Sequence, residues 1–248
     1  MNLLSRKLSH LLASVLFISF FCAPLSCGKY NDNAFAPLQK KTSKDKGKSA
    51  LSSGDYDTAI RELEKYCGQN PSDMQCKAML ANAYMKKSSI DELQMAAKIT
   101  EAQKNSGGND FKALLGAMPA GTAENVAGLQ KAVDALSGIP AGERTPEQNY
   151  QLAIASASLA VTIAKKSGTD SNGNISSEKV DQMSDDEANA MVKSLSTTKE
   201  ALTASSGETS GGASKLGSLS DKIAAQPGAT DAEKLRAYLK TTAPQTTQ

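Results

Sequence analysis

Histidine is the side chain best suited to proton transfer and metal ligation near neutral pH, and it occurs once, at His10. Past that point no imidazole is available, which removes most zinc sites and the Ser-His and Cys-His nucleophile pairs. Ser-x-x-Lys occurs at Ser43/Lys46, Ser176/Lys179 and Ser196/Lys199. None lies in a strand–turn–helix pattern that would fix a serine beside its base, and chance explains the spacing in a chain this rich in both residues. No glycine-rich loop precedes a lysine and hydroxyl pair, as a phosphate cradle requires. The segment Asp170-Ser171-Asn172-Gly173-Asn174-Ile175, with Glu178 and Asp181 beyond it, alternates oxygen side chains as a calcium loop does. Counted from Asp170, Ile175 takes the position that needs glycine, and Asp181 stands where a bidentate glutamate is preferred. Counted to Gly173, Gly168 and Lys179 take the first and last ligand positions. No metal is assigned, because an exposed turn explains the same Asp, Asn and Gly choices through Asx-turn and left-handed geometry. These residues argue against an enzyme and imply no cofactor.

The elements that would position anything else are helices. In Gly47–Ala97, Gly54-Asp55-Tyr56 marks a tight turn, after which Ala59, Ile60, Leu63 and Cys67 recur at helical spacing. Asn70-Pro71 stops that helix, because proline disfavours helix at the residue before it. A second helix starts after Ser72-Asp73, with Leu80, Ala81, Ala83 and Tyr84 on its buried side. This stretch resembles the tetratricopeptide repeat, a pair of antiparallel helices in about 34 residues. Gly54 matches the inter-helix turn, Tyr56 follows it, Ala59 matches the small crossing position, and Pro71 matches the repeat end. One period later, Leu80 and Ala81 match the Leu-small pair and Tyr84 the aromatic position. Ser88, Ile90 and Leu93 stand where Gly, Tyr and Ala are expected, so the second repeat degrades in its second helix. The upstream helix, about residues 40–53, keeps Gly47 but has Lys46 at the usual leucine and reads as a polar cap. The resemblance implies an all-α fold: an α-solenoid of antiparallel helix pairs, degenerate toward the C-terminus.

Residues 1–26 read as a targeting leader. Arg6 and Lys7 form its charged end, and Leu11–Phe21 is apolar but short for a membrane span. Pro24-Leu25-Ser26-Cys27 resembles a bacterial lipobox, which implies a lipid on Cys27; cleavage without lipidation is the alternative and would leave a secreted or periplasmic protein. Gly28, rather than aspartate, follows the cysteine, and by resemblance to enterobacterial sorting this points to the outer membrane, facing the periplasm. Arg6 and Lys7 leave with the leader and no acid does, so the 28 basic residues fall level with the 26 acidic ones. A neutral body gives no argument for nucleic acid or for an anionic surface. Cys67 and Cys76 remain as an even pair in an oxidising compartment. The chain reverses between them, so a bond is geometrically plausible; two packed thiols are the alternative.

Residues 27–39 read as a tether, 40–105 as the repeat-like part, and 106–202 as divergent helical repeats. Phe111, Leu114 and Leu115 open a unit that Met118-Pro119-Ala120-Gly121 interrupts, and Thr122–Leu136 is an amphipathic helix. Thr145-Pro146 starts a helix to about Lys166 with a cap followed by proline. Its run of small apolar residues, LAIASASLAVTIA, predicts the most buried helix of the domain. Ser184 with Asp185, Asp186 and Glu187 opens another. The Ser/Gly-rich segment 203–214 reads as a flexible linker, 215–240 as two short helices, and 241–248 as a disordered tail.

Stacked helix pairs expose a concave face. The resemblance implies groove positions at Lys44, Lys48, Ala78, Asn82, Met85 and Lys86, suited to an extended acidic peptide or a C-terminal carboxylate. In the chaperone-cofactor members Lys44 would fit the clamp, but Lys48 and Met79 replace the asparagines. The expectation is an envelope-anchored scaffold that binds a protein partner, with roles in outer-membrane, secretion or pilus assembly as fold-level analogy. The alternative is a periplasmic helical lipoprotein that binds a small ligand or calcium.

Overall fold

Helix boundaries follow from caps written in the sequence. The computed structural model describes residues 41–92, 94, 95, 97, 98, 101, 110–206 and 212–243. All belong to one unit, Lys41–Gln248. The leader, Cys27 and the tether lie outside the described residues. Thr42 caps α1 (Ser43–Ser53) in a reciprocal box with Asp45, and Gly54 closes that helix at φ 81°, a left-handed geometry glycine adopts without strain. Asp55 caps α2 (Tyr56–Gln69), and Asp73 caps α3 (Met74–Lys87). A short α4 (Asp110–Ala117) precedes α5 (Ala123–Ser137), which Thr122 caps. Thr145 and Gln148 form the capping box of α6 (Pro146–Ser167), with proline in its first turn. The remaining helices are α7 (Ser177–Gln182), α8 (Asp185–Ser206), α9 (Gly212–Ala224) and α10 (Asp231–Thr242). The described residues are all-α, apart from one isolated bridge between Thr169 and Ile175.

The packing has two parts. α1, α2 and α3 pack in succession around a small cluster of Ala50, Ala59, Leu63, Cys67, Cys76 and Ala83. Gly47 lets α1 approach: a Cβ there would lie 2.7 Å from Leu63 Cγ. The larger core surrounds α6, which is buried at Asn149 and from Gln151 to Ala164. α4, α5, α7 and α8 all contact it. A helix enclosed on every side must be apolar or small all round, and this one is. Ser156, Ser158 and Thr162 are fully buried on it, with hydroxyls that have no hydrogen-bond partner. Leaving such groups unmatched costs stability, but small side chains let α8 lie along the whole of α6. The two run antiparallel: Lys166 Nζ, at the end of α6, lies 2.7 Å from Glu187 Oε1, at the start of α8. α9 and α10 close the bundle over α8. Arg236 of α10 donates to Met183 O at 2.7 Å and Asp185 Oδ1 at 2.6 Å, and Tyr238 meets Phe111 edge-on at 6.2 Å.

Two boundaries are corrected. α8 runs through Thr203–Ser206 and α9 begins at Gly212. Most of the expected linker 203–214 is therefore helical, because α8 gains contacts from α9 and α10 that composition does not reveal. Thr241 and Thr242 likewise belong to α10 rather than to the tail.

Candidate partner-binding cleft

The six groove positions do not share one surface. Lys44 reaches from α1 to the start of α3, where its Nζ lies 2.6 Å from Asp73 Oδ2 and 3.3 Å from Gln75 Oε1, above the Tyr66 ring at 5.6 Å. Asp73 also caps α3 by accepting from Cys76 N at 2.9 Å. The Lys44 ammonium holds its carboxyl below the usual carboxylate range, against the opposing effect of burial. Lys44 is thus an interhelical strut, which corrects its reading as a groove cation. Lys48 is exposed on α1. Met85 has no exposed surface and cannot touch a partner. It belongs to the main core, and α5 packs on α3 closely enough that a Cβ on Gly128 would lie 2.5 Å from Ser88 Oγ. Lys86 pairs with Asp91 just beyond the end of α3.

Ala78 and Asn82 do face a common space. With Gln75 and Met79 they form one stripe of α3, and opposite them stand Glu147, Gln148 and Gln151 of α6. Glu92 completes the walls of this open cleft, whose volume is about 280 Å³. Gln151 joins the two sides: its Nε2 donates to Glu92 Oε1 at 2.8 Å and to Ala78 O at 3.3 Å. Only 8% of Gln151 is exposed, so this amide is structural as well as part of the lining. Burial pushes the Glu92 carboxyl above its usual range, and Asp91 adds to that, while the Gln151 hydrogen bond and Lys86 oppose it. Glu147 is held below the usual range by its own backbone N–H and by Thr145. Beside it Tyr150 is the one large hydrophobic residue that is exposed among the described residues. Burial and the Glu92 carboxylate both push its phenol upward. The cleft therefore offers oxygen acceptors and carboxylates, not the cationic lining that an acidic peptide would need. The repeat resemblance marked Ala78 and Asn82. It gave no sign of Glu92 or Gln151, since nothing local says that α6 lands beside α3.

A second cleft, about 230 Å³, lies among α2, α3 and α5. Its charges are matched internally. Tyr84 donates to Glu64, Lys131 Nζ sits 5.1 Å over the Tyr84 ring and 3.7 Å from Glu64, and Lys87 bridges Asp57 and Glu124 at 2.7 and 3.7 Å. These pairs tie three helices together and leave little unpaired charge for a ligand.

Cys67 and Cys76 are joined, with Cα atoms 5.8 Å apart, and bind the end of α2 to the first turn of α3. The Asp170 loop is a self-capped turn. Asp170 Oδ1 accepts from Asn172 N and Asn174 N, both at 2.9 Å, and Gly173 adopts φ 76°. Glu178 accepts from Gln182, Asp181 pairs with Lys240 at 2.5 Å, and Ile175 is buried. The five oxygen-bearing residues thus do not converge, and among the described residues no group of acids and cysteines is arranged to hold a metal. No helix of the described residues is long and apolar enough to cross a membrane. Comparison of the chain with family models, with curated proteins and with solved structures finds no match.

Proposed function

We propose that the chain is an envelope-anchored adaptor: a tetratricopeptide-type array, degenerate toward its C-terminus, that holds an extended segment of a partner protein between α3 and α6. A lipid on Cys27 moors it to the outer membrane, facing the periplasm. One observation carries the reading. Ala78 and Asn82, two groove positions of the repeat, open on a polar cleft whose far wall comes from Glu147, Gln148 and Gln151. The successive packing of α1 on α2 and α2 on α3 supports the repeat assignment, and a Cys67–Cys76 bond suits an oxidising compartment. The reading assigns the chain no reaction, no cofactor and no nucleic acid.

The test is a photo-crosslinking amino acid placed at Ala78 in whole cells, with exposed Lys193 of α8 as the control position. The expected result is a discrete adduct with one envelope protein from position 78 and none from 193. Identical adducts from both positions, or none from 78, would refute the groove. Cys27→Ser should move the protein from the membrane to the soluble fraction, and unchanged fractionation would refute the anchor.

A further inference from the structure

The adaptor reading leaves the chemistry of the bound segment open, and the cleft itself narrows it. Glu92 and Glu147 line it, and among the described residues that line it none is a lysine or arginine. Lys86 acts on Glu92 from nearby but is already paired with Asp91. Lys44, which reaches Gln75 at the margin, is paired with Asp73. Gln151 is more than nine-tenths buried with its Nε2 committed to Glu92 and to Ala78 O, so what it has left to offer is its carbonyl oxygen. Tyr150 presents an aromatic ring on the same opening turns of α6, within the field of Glu92.

We infer that this cleft recognises a cationic side chain, a lysine ammonium or an arginine guanidinium, carried on an extended segment of the partner. The inference rests on the adaptor reading and reverses the acidic peptide that the repeat resemblance implied. The physical reason is complementarity. An ammonium or guanidinium carries only donors; Glu92 and Glu147 give it negative charge, Gln151 a carbonyl oxygen, and Tyr150 beside the cleft an aromatic face. An acidic segment would meet two carboxylates and, among the described lining residues, no balancing cation, and like charges set against each other suppress binding. The partly buried Glu92 gains most, because a bound cation offsets the hydration that burial takes from its carboxylate.

Three fluorescein-labelled decapeptides test this against the full lipidated chain in detergent. They share one alternating Ala/Ser frame and carry two lysines, two glutamates or two glutamines. Fluorescence anisotropy is followed to millimolar protein. The lysine peptide is expected to bind at least tenfold more tightly than either of the others, and to weaken as salt is added. E92Q/E147Q should remove that preference while the helical circular-dichroism signal holds, since a glutamine at 92 can still accept from Gln151. Y150A alters an exposed ring and should weaken the lysine peptide several-fold. Equal or tighter binding of the glutamate or glutamine peptide overturns the cationic partner and leaves the groove standing. Lysine-peptide binding that E92Q/E147Q leaves unchanged also overturns it. If no peptide binds, the groove fails and the inference with it.

Discussion

Reducing the Cys67–Cys76 bond tests how the N-terminal helices are held. The bond closes a separation of 9 residues, for which the chain-entropy relation gives about 2.5 kcal/mol of stabilisation through the unfolded state. Reduction leaves both sulfurs in place, so this term is isolated from packing. Cys67→Ala/Cys76→Ala removes them from a cluster in which Cys76, Leu63 and Ala59 are fully buried, and adds a packing loss on the order of 1 kcal/mol. For a slope near 2.5 kcal/mol/M, reduction should lower the urea midpoint by about 1 M. The thermal midpoint should fall by roughly 5–10 °C. The double variant should fall further in both. The assay is far-UV circular dichroism with and without dithiothreitol, and a parallel alkylation mass shift reports the state of the thiols. The bond lies in the cluster that α1, α2 and one face of α3 form, while the other face of α3 belongs to the core around α6, so proteolysis of the reduced protein should begin in α1 and α2. Two results refute the reasoning: both cysteines alkylating in the folded protein before reduction, or a urea midpoint that reductant does not move.

Two further outcomes follow from the packing and the charges. Gly121→Ala would set a Cβ 2.4 Å from Lys166 N; backbone cannot yield as a side chain can, so the substitution should cost about 1–3 kcal/mol and loosen the Lys165 hydrogen bonds to Leu115 O and Met118 O. Gly116→Ala in α4, which meets nothing within 4 Å, should instead be neutral or add about 0.5–1 kcal/mol, so equal melting temperatures for the two variants would count against the close approach. Burial pushes the Glu187 carboxyl upward, but hydrogen bonds from Lys166, Ser167 and Ser184 outweigh it and bring it from an ordinary 4.5 down to about 2. A depressed carboxyl stabilises the fold above its unfolded value and loses that contribution as it protonates. Glu187→Gln should therefore be destabilised at pH 7, and its gap from the native protein should close between pH 4.5 and 2. A gap that stays constant through that window would exclude this role.

Sequence alone determined most of the helices and their limits, because the signals are local; it misplaced the end of α8, the start of α9 and the end of α10. Thr145 with Pro146, Gly54, and Asn70 before Pro71 fix caps and stops within a few residues, and the spacing of Val126, Leu129, Val133 and Leu136 fixes an apolar face. The small-residue run of α6 announced its burial, since a helix without a polar face has nowhere to go but inside. What only the tertiary structure decided is which faces meet. Met85 and Asn82 lie on the same helix, and the repeat pattern treats both as groove; the main core buries one, and α6 leaves the other beside a cleft. Lys44 looks like any surface lysine until α3 brings Asp73 to it. Gln151, an amide in an alanine-rich helix, acquires its part only when α3 and Glu92 arrive. Helix formation is written in neighbours a few residues apart, whereas a site's charge is set by residues that folding alone brings together, and here folding collected carboxylates where the pattern had promised lysines.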